Sequence, residues 1–446
     1  MALAMGAVRR TRPPLVLVVP ALAGLVLAHA WWASRYPLLE LVLAALVLVV
    51  VFPQLSRVAL IAVVAIGPTL NPPLLGVGSQ GSATSAGGRV YLVQAALLLV
   101  IVGALAWAAV TGMHDSAAVI VGASVLLVAV GTVGRPDAGP AWVYRPLQIF
   151  LVAFAVRALF RGRGRETLLL ALAWGSAIGC ALASVHTLVP AIDPFAVSRP
   201  NNLPFISTIG GFARATGAFT YPNNLGTFAA YTILFGAAAL LLRRPALPRP
   251  LAWFMVTAGV SALLLSGSRA AGLGTLCGML YLTVKLAPRR RALILFVEGA
   301  AGLALVLALL SAPTAAEVAS ERLDTAVGSS LTLRVGSWSD AIELFLDSPL
   351  IGTGAAESRI DNFWLLYLAQ GGIVGAILLA VLARTSLRDD RRRPKSYPEL
   401  WAALLIALCV SGVLQDSLGQ TLTTWFPGAL LGLSLLQPKE TAVEQG

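Results

Sequence analysis

The stretch LAWFMVTAGVSALLLSGSRAAGLGTLCGMLYLTVK, residues 251–285, consists of two apolar runs separated by the short polar segment SGSR. Each run is close to the roughly 20 residues that a helix needs to cross a hydrocarbon layer of about 30 Å. The four residues between the runs suffice only for a tight turn. The stretch therefore predicts a membrane hairpin, with Arg269 held at the membrane face beside the helix ends.

The same composition extends over the whole chain. Its 446 residues are 58% hydrophobic and 12% charged, with a mean hydropathy of +0.83, whereas a soluble domain has roughly 25% charged residues. We therefore predict an all-α, polytopic membrane helix bundle of 12–14 transmembrane helices that forms a single membrane domain over residues 1–446. The predicted spans lie at about 15–33, 38–52, 58–70, 90–111, 117–134, 143–159, 167–191, 223–242, 251–266, 270–287, 292–312, 362–383, 399–414 and 420–436.

The distribution of basic residues predicts the orientation of the bundle. If the N-terminus is cytoplasmic, one side of the membrane holds 22 of the 32 Lys and Arg residues and the other side holds 10. Cytoplasmic loops carry the excess of positive charge, and so both termini are predicted to be cytoplasmic. The net charge of +12 is then a topology signal, and nucleic acid is not an expected partner.

Two long loops are predicted to face outward, at 192–222 and 313–361. Loops of this length among tight connections are usually either functional or disordered. In the second loop, apolar residues at helical spacing predict an amphipathic helix along the membrane surface, with acidic residues on its opposite face. The apolar residues are Val335, Trp338, Ile342, Phe345 and Leu346, and the acidic residues are Asp340, Glu343 and Asp347. The proline and glycines of SPLIGTG are predicted to end this helix.

Asp361 stands immediately before the apolar run of SRIDNFWLLYLAQGG, residues 358–372. An Asp at this place is a common helix N-cap, and Ser358 adds a pattern similar to a capping box. A helix N-terminus also favours the ionised carboxylate, which is able to accept a proton at neutral pH. The sequence leaves both roles open for Asp361.

The outward arginines are also open to two interpretations. Arg269 and Arg214 either extend to lipid headgroups or bind a phosphate, because a guanidinium group matches phosphate oxygens in a bidentate manner. Glu298 lies inside a predicted span and supports a proton-coupled transporter as an alternative. Neither the cysteines nor the histidines have metal-ligand spacing, and we expect no metal and no cofactor.

Several motifs together resemble the O-antigen ligase and polymerase superfamily of bacterial envelope glycosyltransferases. They are ARATGAFTYPNNLG at 213–226, LLLSGSRAAGLG at 263–274, RVGSWSDAIELFLDSPLIGTG at 334–354 and IDNFWLLYLAQGGIVG at 360–375. The resemblance covers residues from about 210 to 380. It implies a membrane glycosyltransferase fold of the C class. It also implies a polyprenyl-pyrophosphate-linked glycan donor, used at the outer face of the bacterial cytoplasmic membrane.

The resemblance further implies roles for individual residues. The catalytic residues would be Asp361, which activates an acceptor hydroxyl, and Arg214, Arg269 and Arg334, which stabilise the pyrophosphate. The further substrate contacts would be Asn224, Trp338, Arg359 and Asn362. The lipopolysaccharide ligases carry a histidine at the position of Asp361, and the aspartate is similar to the polymerase branch.

The resemblance favours a polymerase that joins one polyprenyl-linked repeat chain to the sugar of another. One alternative is a ligase that transfers the same kind of donor to lipid A core, protein or another acceptor. Another is a transporter or flippase, for which internal repeats and paired broken helices are typical. A chain-length regulator or a flippase would be a candidate protein partner of the enzyme.

Overall fold

The structure is a computed structural model that describes residues 53–69, 76–77, 90–111, 113–133, 141–160, 164–189, 208–209, 212–219, 222–242, 247–286, 328–353, 362–386, 398–414 and 421–434. Helices dominate these residues, with one 3₁₀ turn at Gly67–Thr69 and two short antiparallel strand pairs. The α-helices are α1 Pro53–Ile66, α2 Leu92–Val110, α3 His114–Val133, α4 Ala141–Leu159, α5 Arg165–Leu188, α6 Pro222–Leu241, α7 Arg249–Ser266, α8 Arg269–Leu286, α9 Gly328–Asp347, α10 Phe363–Ser386, α11 Pro398–Leu414 and α12 Thr421–Ser434. The strands are β1 Gly76–Val77, β2 Val90–Tyr91, β3 Thr208–Ile209 and β4 Phe212–Ala213, paired β1 with β2 and β3 with β4.

The helices confirm the predicted all-α membrane bundle. Eleven of the predicted spans coincide with described helices, and the other three, at 15–33, 38–52 and 292–312, lie outside the described residues. Four described helices are long and apolar enough to cross a membrane, namely α5, α6, α7 and α10. The chain is therefore a polytopic helical membrane protein.

Helix α6 occupies the centre of the described bundle and is buried along nearly its whole length. It packs against α7 and α8, and small residues bring the helices close together. A Cβ atom at Gly259 of α7 would lie 2.7 Å from Ile233 of α6. Close approach of this kind replaces the hydrophobic effect as the source of cohesion between helices in lipid.

The turn between α7 and α8, residues 266–269, marks one end of the bundle, which we call the turn end. The first turn of α6 lies against it, because a Cβ atom at Gly226 would be 2.5 Å from the Cβ atom of Ser268. Helix α11 runs antiparallel to α8, and a Cβ atom at Gly274 would lie 3.4 Å from Ser411 near the end of α11. The start of α6, the start of α8 and the end of α11 therefore share the turn end.

Helix α10 also begins at the turn end and finishes at the opposite end. The indole Nε1 of Trp364 donates to the carbonyl oxygen of Cys409 in α11 at 3.3 Å. At the other end of α10, the Arg157 guanidinium donates to the carbonyl oxygens of Thr385 and Ser386. A cation at a helix C-terminus is favourable because the last carbonyl groups carry partial negative charge.

The predicted amphipathic helix is confirmed as α9, which ends at Asp347 before Pro349. It packs against the first half of α10 through Ala341, which contacts Ala369 in a small apolar cluster. Trp338 and Phe345 are half-buried, whereas Ile342 and Leu346 are exposed. The apolar face predicted for the membrane is thus narrower than the sequence pattern indicates, because part of it packs against protein.

Candidate active site

The turn between α7 and α8 is built by glycine and serine. Gly267 ends α7 in the left-handed conformation, with φ at 60°, and its N–H donates to the carbonyl oxygen of Leu264. The Ser268 hydroxyl oxygen accepts the N–H of Ala271 at 3.4 Å and so caps α8. Arg269 is the first residue of α8 and its side chain is exposed. The tight turn that the sequence predicted is confirmed.

Arg214 is held by the same turn. Its Nε atom donates to the Ser266 carbonyl oxygen at 2.6 Å, and its Nη2 atom donates to the Asn223 side-chain oxygen at 2.9 Å. The next backbone N–H, of Ala215, donates to the carbonyl oxygen of Leu265 at 2.9 Å. The two arginines predicted to bind phosphate, Arg214 and Arg269, are therefore brought to one interhelical turn.

Two polar atoms near Arg214 are buried and have no hydrogen-bond partner among the described residues. Asn224 is 2% exposed and its Nδ2 donor is unpaired, and Thr216 is 4% exposed with an unpaired hydroxyl. An unpaired buried donor of this kind costs about 1–3 kcal/mol. Asn224 was predicted as a substrate contact. Thr216 was not, because one Thr between Ala215 and Gly217 gives no signal of its burial.

The N-terminus of α10 is capped by Asn362. Its side-chain oxygen accepts the backbone N–H groups of Trp364 at 3.0 Å and Leu365 at 3.1 Å. Asn362 is 6% exposed. The cap that the sequence allowed for Asp361 therefore belongs to the next residue, and the oxygen of Asn362 is engaged by the helix. Asp361 and Arg359 lie outside the described residues.

Arg334 belongs to α9, and its side chain lies outside what the structure describes. Its backbone position is fixed by the pairing of α9 with α10, in which Ala341 contacts Ala369. Arg334 lies seven residues before Ala341, and Asn362 lies seven residues before Ala369. Arg334 therefore lies about two helical turns before the contact of α9 with α10. Trp338 lies between Arg334 and Ala341 along α9, and its indole Nε1 is buried and unpaired within the described residues.

Helix α10 is broken at Gly372, where φ is 58° and ψ is −164°. The segment 349–353, which we call the clasp, fills the break. The Ile373 N–H donates to the carbonyl oxygen of Pro349 at 2.9 Å, and the Val374 N–H donates to the carbonyl oxygen of Leu350 at 2.9 Å. The sequence pattern did not predict this break.

Gly352 and Thr353 complete the contact between the clasp and α10. The Thr353 N–H donates to the carbonyl oxygen of Ala369 at 3.0 Å. Gly352 has φ at 72°, and a Cβ atom on it would lie 2.3 Å from the carbonyl carbon of Gln370. Backbone groups freed by a helix break in a membrane must be paired by other protein groups. The clasp pairs them, and so it fixes the register of α9 against α10.

The described site residues gather at the turn end of the bundle. Arg214 and Arg269 lie at the turn itself, and the N-cap of α10 is connected to it through α11. Among the described residues, no three or more His, Cys, Asp or Glu side chains are grouped to hold a metal ion. The charged residues that gather at the turn itself, Arg214 and Arg269, are cationic.

The fold and the grouped arginines define a polytopic helical membrane protein with a cationic site at one end of the bundle. Residues 251–380 match the sequence model of a family described as O-antigen ligase. The match includes Arg269, α9, the clasp and the first three-quarters of α10, and it supports the O-antigen ligase and polymerase superfamily predicted from the motifs. It does not separate the polymerase branch from the ligase branch. No curated protein matches the chain.

Proposed function

We propose that the protein is a membrane glycosyltransferase that polymerises polyprenyl-pyrophosphate-linked oligosaccharide repeats. The observation that carries the proposal is that Arg214 and Arg269 share one interhelical turn at the end of the bundle where α10 begins. The Arg214 guanidinium, fixed by hydrogen bonds, and the exposed Arg269 guanidinium at the same turn are suited to a diphosphate, because guanidinium groups present N–H donors in a planar arrangement.

The arginines would act on the leaving group. As the bond between the anomeric carbon and the pyrophosphate oxygen breaks, negative charge accumulates on that oxygen. Donors already oriented at the site stabilise this charge without reorganising during the reaction. The Arg214 side chain is preorganised by Ser266 and Asn223, and Asn224 supplies a buried amide donor beside it. Arg334 joins them from α9.

Asp361 would act on the acceptor. Its carboxylate takes the proton of an acceptor sugar hydroxyl, and that oxygen attacks the anomeric carbon in line with the departing pyrophosphate. One displacement of this kind inverts the anomeric configuration. The assignment of the cap to Asn362 supports this role, because the adjacent carboxylate is not needed to pair the first N–H groups of α10.

A ligase is the second candidate, because the matching family is described as O-antigen ligase. In a ligase, the same donor would be transferred to lipid A core or to another acceptor. Both enzymes need the same arginine pair, and they differ in the acceptor alone. A transporter or flippase would move the lipid-linked glycan without forming a bond.

We also propose that the turn end faces outward from the bacterial cytoplasmic membrane and that both termini are cytoplasmic. The end opposite the turn carries basic residues at several helix ends, which supports the positive-inside assignment. These residues are Arg157, Arg165, Arg249, Lys285 and Arg384.

The test is reconstitution of the purified protein in liposomes with a polyprenyl-pyrophosphate oligosaccharide, followed by mass analysis of the products. A ladder of lipid-linked chains with no other acceptor present supports the polymerase. Strict dependence on an added acceptor supports the ligase instead. Transfer of the donor across the bilayer with no new glycosidic bond would exclude both. An undiminished rate in EDTA is expected, because the proposed charge stabilisation uses guanidinium groups.

A further inference from the structure

The exposed surface of α10 changes at the break. Beyond Gly372, exposed apolar residues at helical spacing form a lipid-facing row, with Ile373 43%, Ile377 56% and Val381 37% exposed. Between Leu365 and Gly372, however, no residue of α10 is exposed. The lipid-facing row of this membrane helix therefore stops at the level of the break.

Helix α9 covers α10 at that level and presents an apolar row of its own. Ile342 is 48% exposed and Leu346 66%, and their spacing of four residues places them along one edge of α9; Leu350, 65% exposed, follows in the clasp beyond the end of the helix. Because the Val374 N–H donates to the carbonyl oxygen of Leu350, this edge meets the row of α10 beside Ile373. The exposed apolar surface is thus continuous from α10 to α9.

The depth of this junction follows from the length of α10. Arg157 binds the carbonyl groups of Thr385 and Ser386 and marks the end opposite the turn. Gly372 lies 14 residues before Ser386, which corresponds to about 21 Å of helix. With Ser386 placed at one boundary of a hydrocarbon layer of about 30 Å and α10 along the membrane normal, the break and the clasp lie roughly 9 Å below the boundary at the turn end.

The acidic residues of α9 are exposed on the side away from this edge. They are Asp340, Glu343 and Asp347. Charged side chains at membrane depth face water-filled cavities or the interior of a bundle rather than lipid. Exposed carboxylates at the level of the clasp therefore require water on their side of the helix.

We propose that the C-terminal half of α9 and the clasp insert into the leaflet at the turn end. The edge formed by Ile342, Leu346 and Leu350 contacts lipid acyl chains, and the acidic side borders a hydrated recess at the same depth. Helix α9 is then a partition between lipid and water, rather than a helix that lies along the membrane surface. The apolar edge of α9 is thus covered by the acyl chains of the bilayer and by no other protein.

The experiment is site-directed spin labelling in liposomes. Cys180, Cys277 and Cys409 are first replaced by alanine, and single cysteines are introduced by Ile342→Cys, Leu346→Cys, Leu350→Cys and Glu343→Cys. Accessibility of each label to oxygen reports lipid, and accessibility to a water-soluble nickel chelate reports water. Val260→Cys on the lipid-exposed side of α7 is the membrane control.

The labels at 342, 346 and 350 are expected to collide more with oxygen than with the nickel chelate, with a depth that increases in that order. The label at 343 is expected to collide with the nickel chelate at least several-fold more than the label at 346. Preferential nickel accessibility at 346 and 350 would overturn the insertion, and a lipid-exposed label at 343 would overturn the recess. These measurements involve no glycan transfer, and so their failure is separate from failure of the proposed function.

Discussion

At the residue scale, the decisive pair is Asp361 and Asn362. The oxygen of Asn362 pairs the N–H groups of Trp364 and Leu365, which are the donors that a helix N-cap must satisfy. Each of the two neighbouring residues is therefore expected to respond differently to substitution, since one stabilises the helix and the other is proposed to move a proton.

Exchange of the acidic and amide groups separates these two roles. Asp361→Asn is expected to lower turnover by about 10²- to 10⁴-fold, the usual range for loss of a general base, with the melting temperature unchanged. Asn362→Ala is expected to lower the free energy of unfolding by about 1 kcal/mol through loss of the cap, whereas Asn362→Asp retains it. Turnover on the polyprenyl-linked donor and thermal unfolding in detergent are the two measurements. Full activity of the Asp361→Asn protein would contradict the role as base.

Substitution of Arg214 is a second test at this scale, and it concerns the geometry of the proposed phosphate contact. Its Nε and Nη2 atoms donate to two different residues, Ser266 and Asn223, and a lysine ammonium lacks this fixed geometry. Arg214→Lys is expected to lower turnover at least tenfold although the charge is kept. Arg249→Lys, at the first residue of α7 and the opposite end of the bundle, is the matched control. Equal activities of the two variants would count against a specific role for Arg214.

The site residues were predictable to different degrees. Arg269 was found because a turn of four polar residues between two apolar runs leaves its side chain no place other than the membrane face. Arg214 needed the resemblance, since its partner Ser266 lies 52 residues away. For the cap, the sequence left Asp361 open as cap or base, and the structure shows Asn362 in that role; Asp and Asn are equally good caps, and the sequence does not mark the first helical residue.

At the element scale, the feature that organises the site is the clasp in the break of α10. Three backbone hydrogen bonds and one hydrogen bond from the Thr353 hydroxyl connect residues about 16 to 24 positions apart, and they make the end of α9 and the middle of α10 one unit. Two glycines allow this approach. At Gly372 the φ and ψ values lie in a region open essentially to glycine alone.

Gly372→Ala is therefore expected to lower the free energy of unfolding by about 1–3 kcal/mol from backbone strain alone. Gly352→Ala is expected to be at least as damaging, because its Cβ atom would lie 2.3 Å from the backbone of Gln370. Gly336→Ala on α9 is the control, since a Cβ atom there has no neighbour within 4 Å. Thermal unfolding of the three variants is the measurement, and a Gly352→Ala protein as stable as the control would contradict the clasp.

The limits of helix prediction appear in the same element. The apolar runs gave the helices to within about five residues, because the thickness of the bilayer dictates both their length and their composition. The pair Gly371 and Gly372 inside an apolar run gave no sign of a break. The groups that make the break tolerable, on Pro349 and Leu350, come from a segment more than 20 residues earlier in the chain.

At the scale of the whole molecule, the described helix ends form two sets. The turn end contains the proposed site, and the opposite end contains basic residues at several helix ends. This asymmetry was predictable from the sequence, because the Lys and Arg residues are already unequal between alternate loops.

The proposed orientation predicts which residues react from outside the cell. In a chain with Cys180, Cys277 and Cys409 replaced by alanine, Leu188→Cys at the end of α5 is expected to react with a membrane-impermeant maleimide in intact cells. Leu188 is 69% exposed, and α5 reaches the turn end, where Gly217 approaches Ala183. Arg249→Cys is expected to react only after the cells are opened. The reverse pattern would invert the orientation.

The two buried polar atoms beside Arg214 have a consequence for the thermodynamics of the empty protein. Asn224 Nδ2 and the Thr216 hydroxyl have no partner in the described part of the chain, and a ligand that supplies acceptors removes that cost. Ligand binding to the folded state alone raises stability by about 2.7 kcal/mol at 100 times the dissociation constant. Inorganic pyrophosphate or the donor is therefore expected to raise the melting temperature. Asn224→Leu, which keeps the branched shape of the side chain without its polar atoms, is expected to raise the melting temperature of the empty protein and to reduce the shift on binding. The folded protein would thus be less stable with the site empty than with its substrate bound.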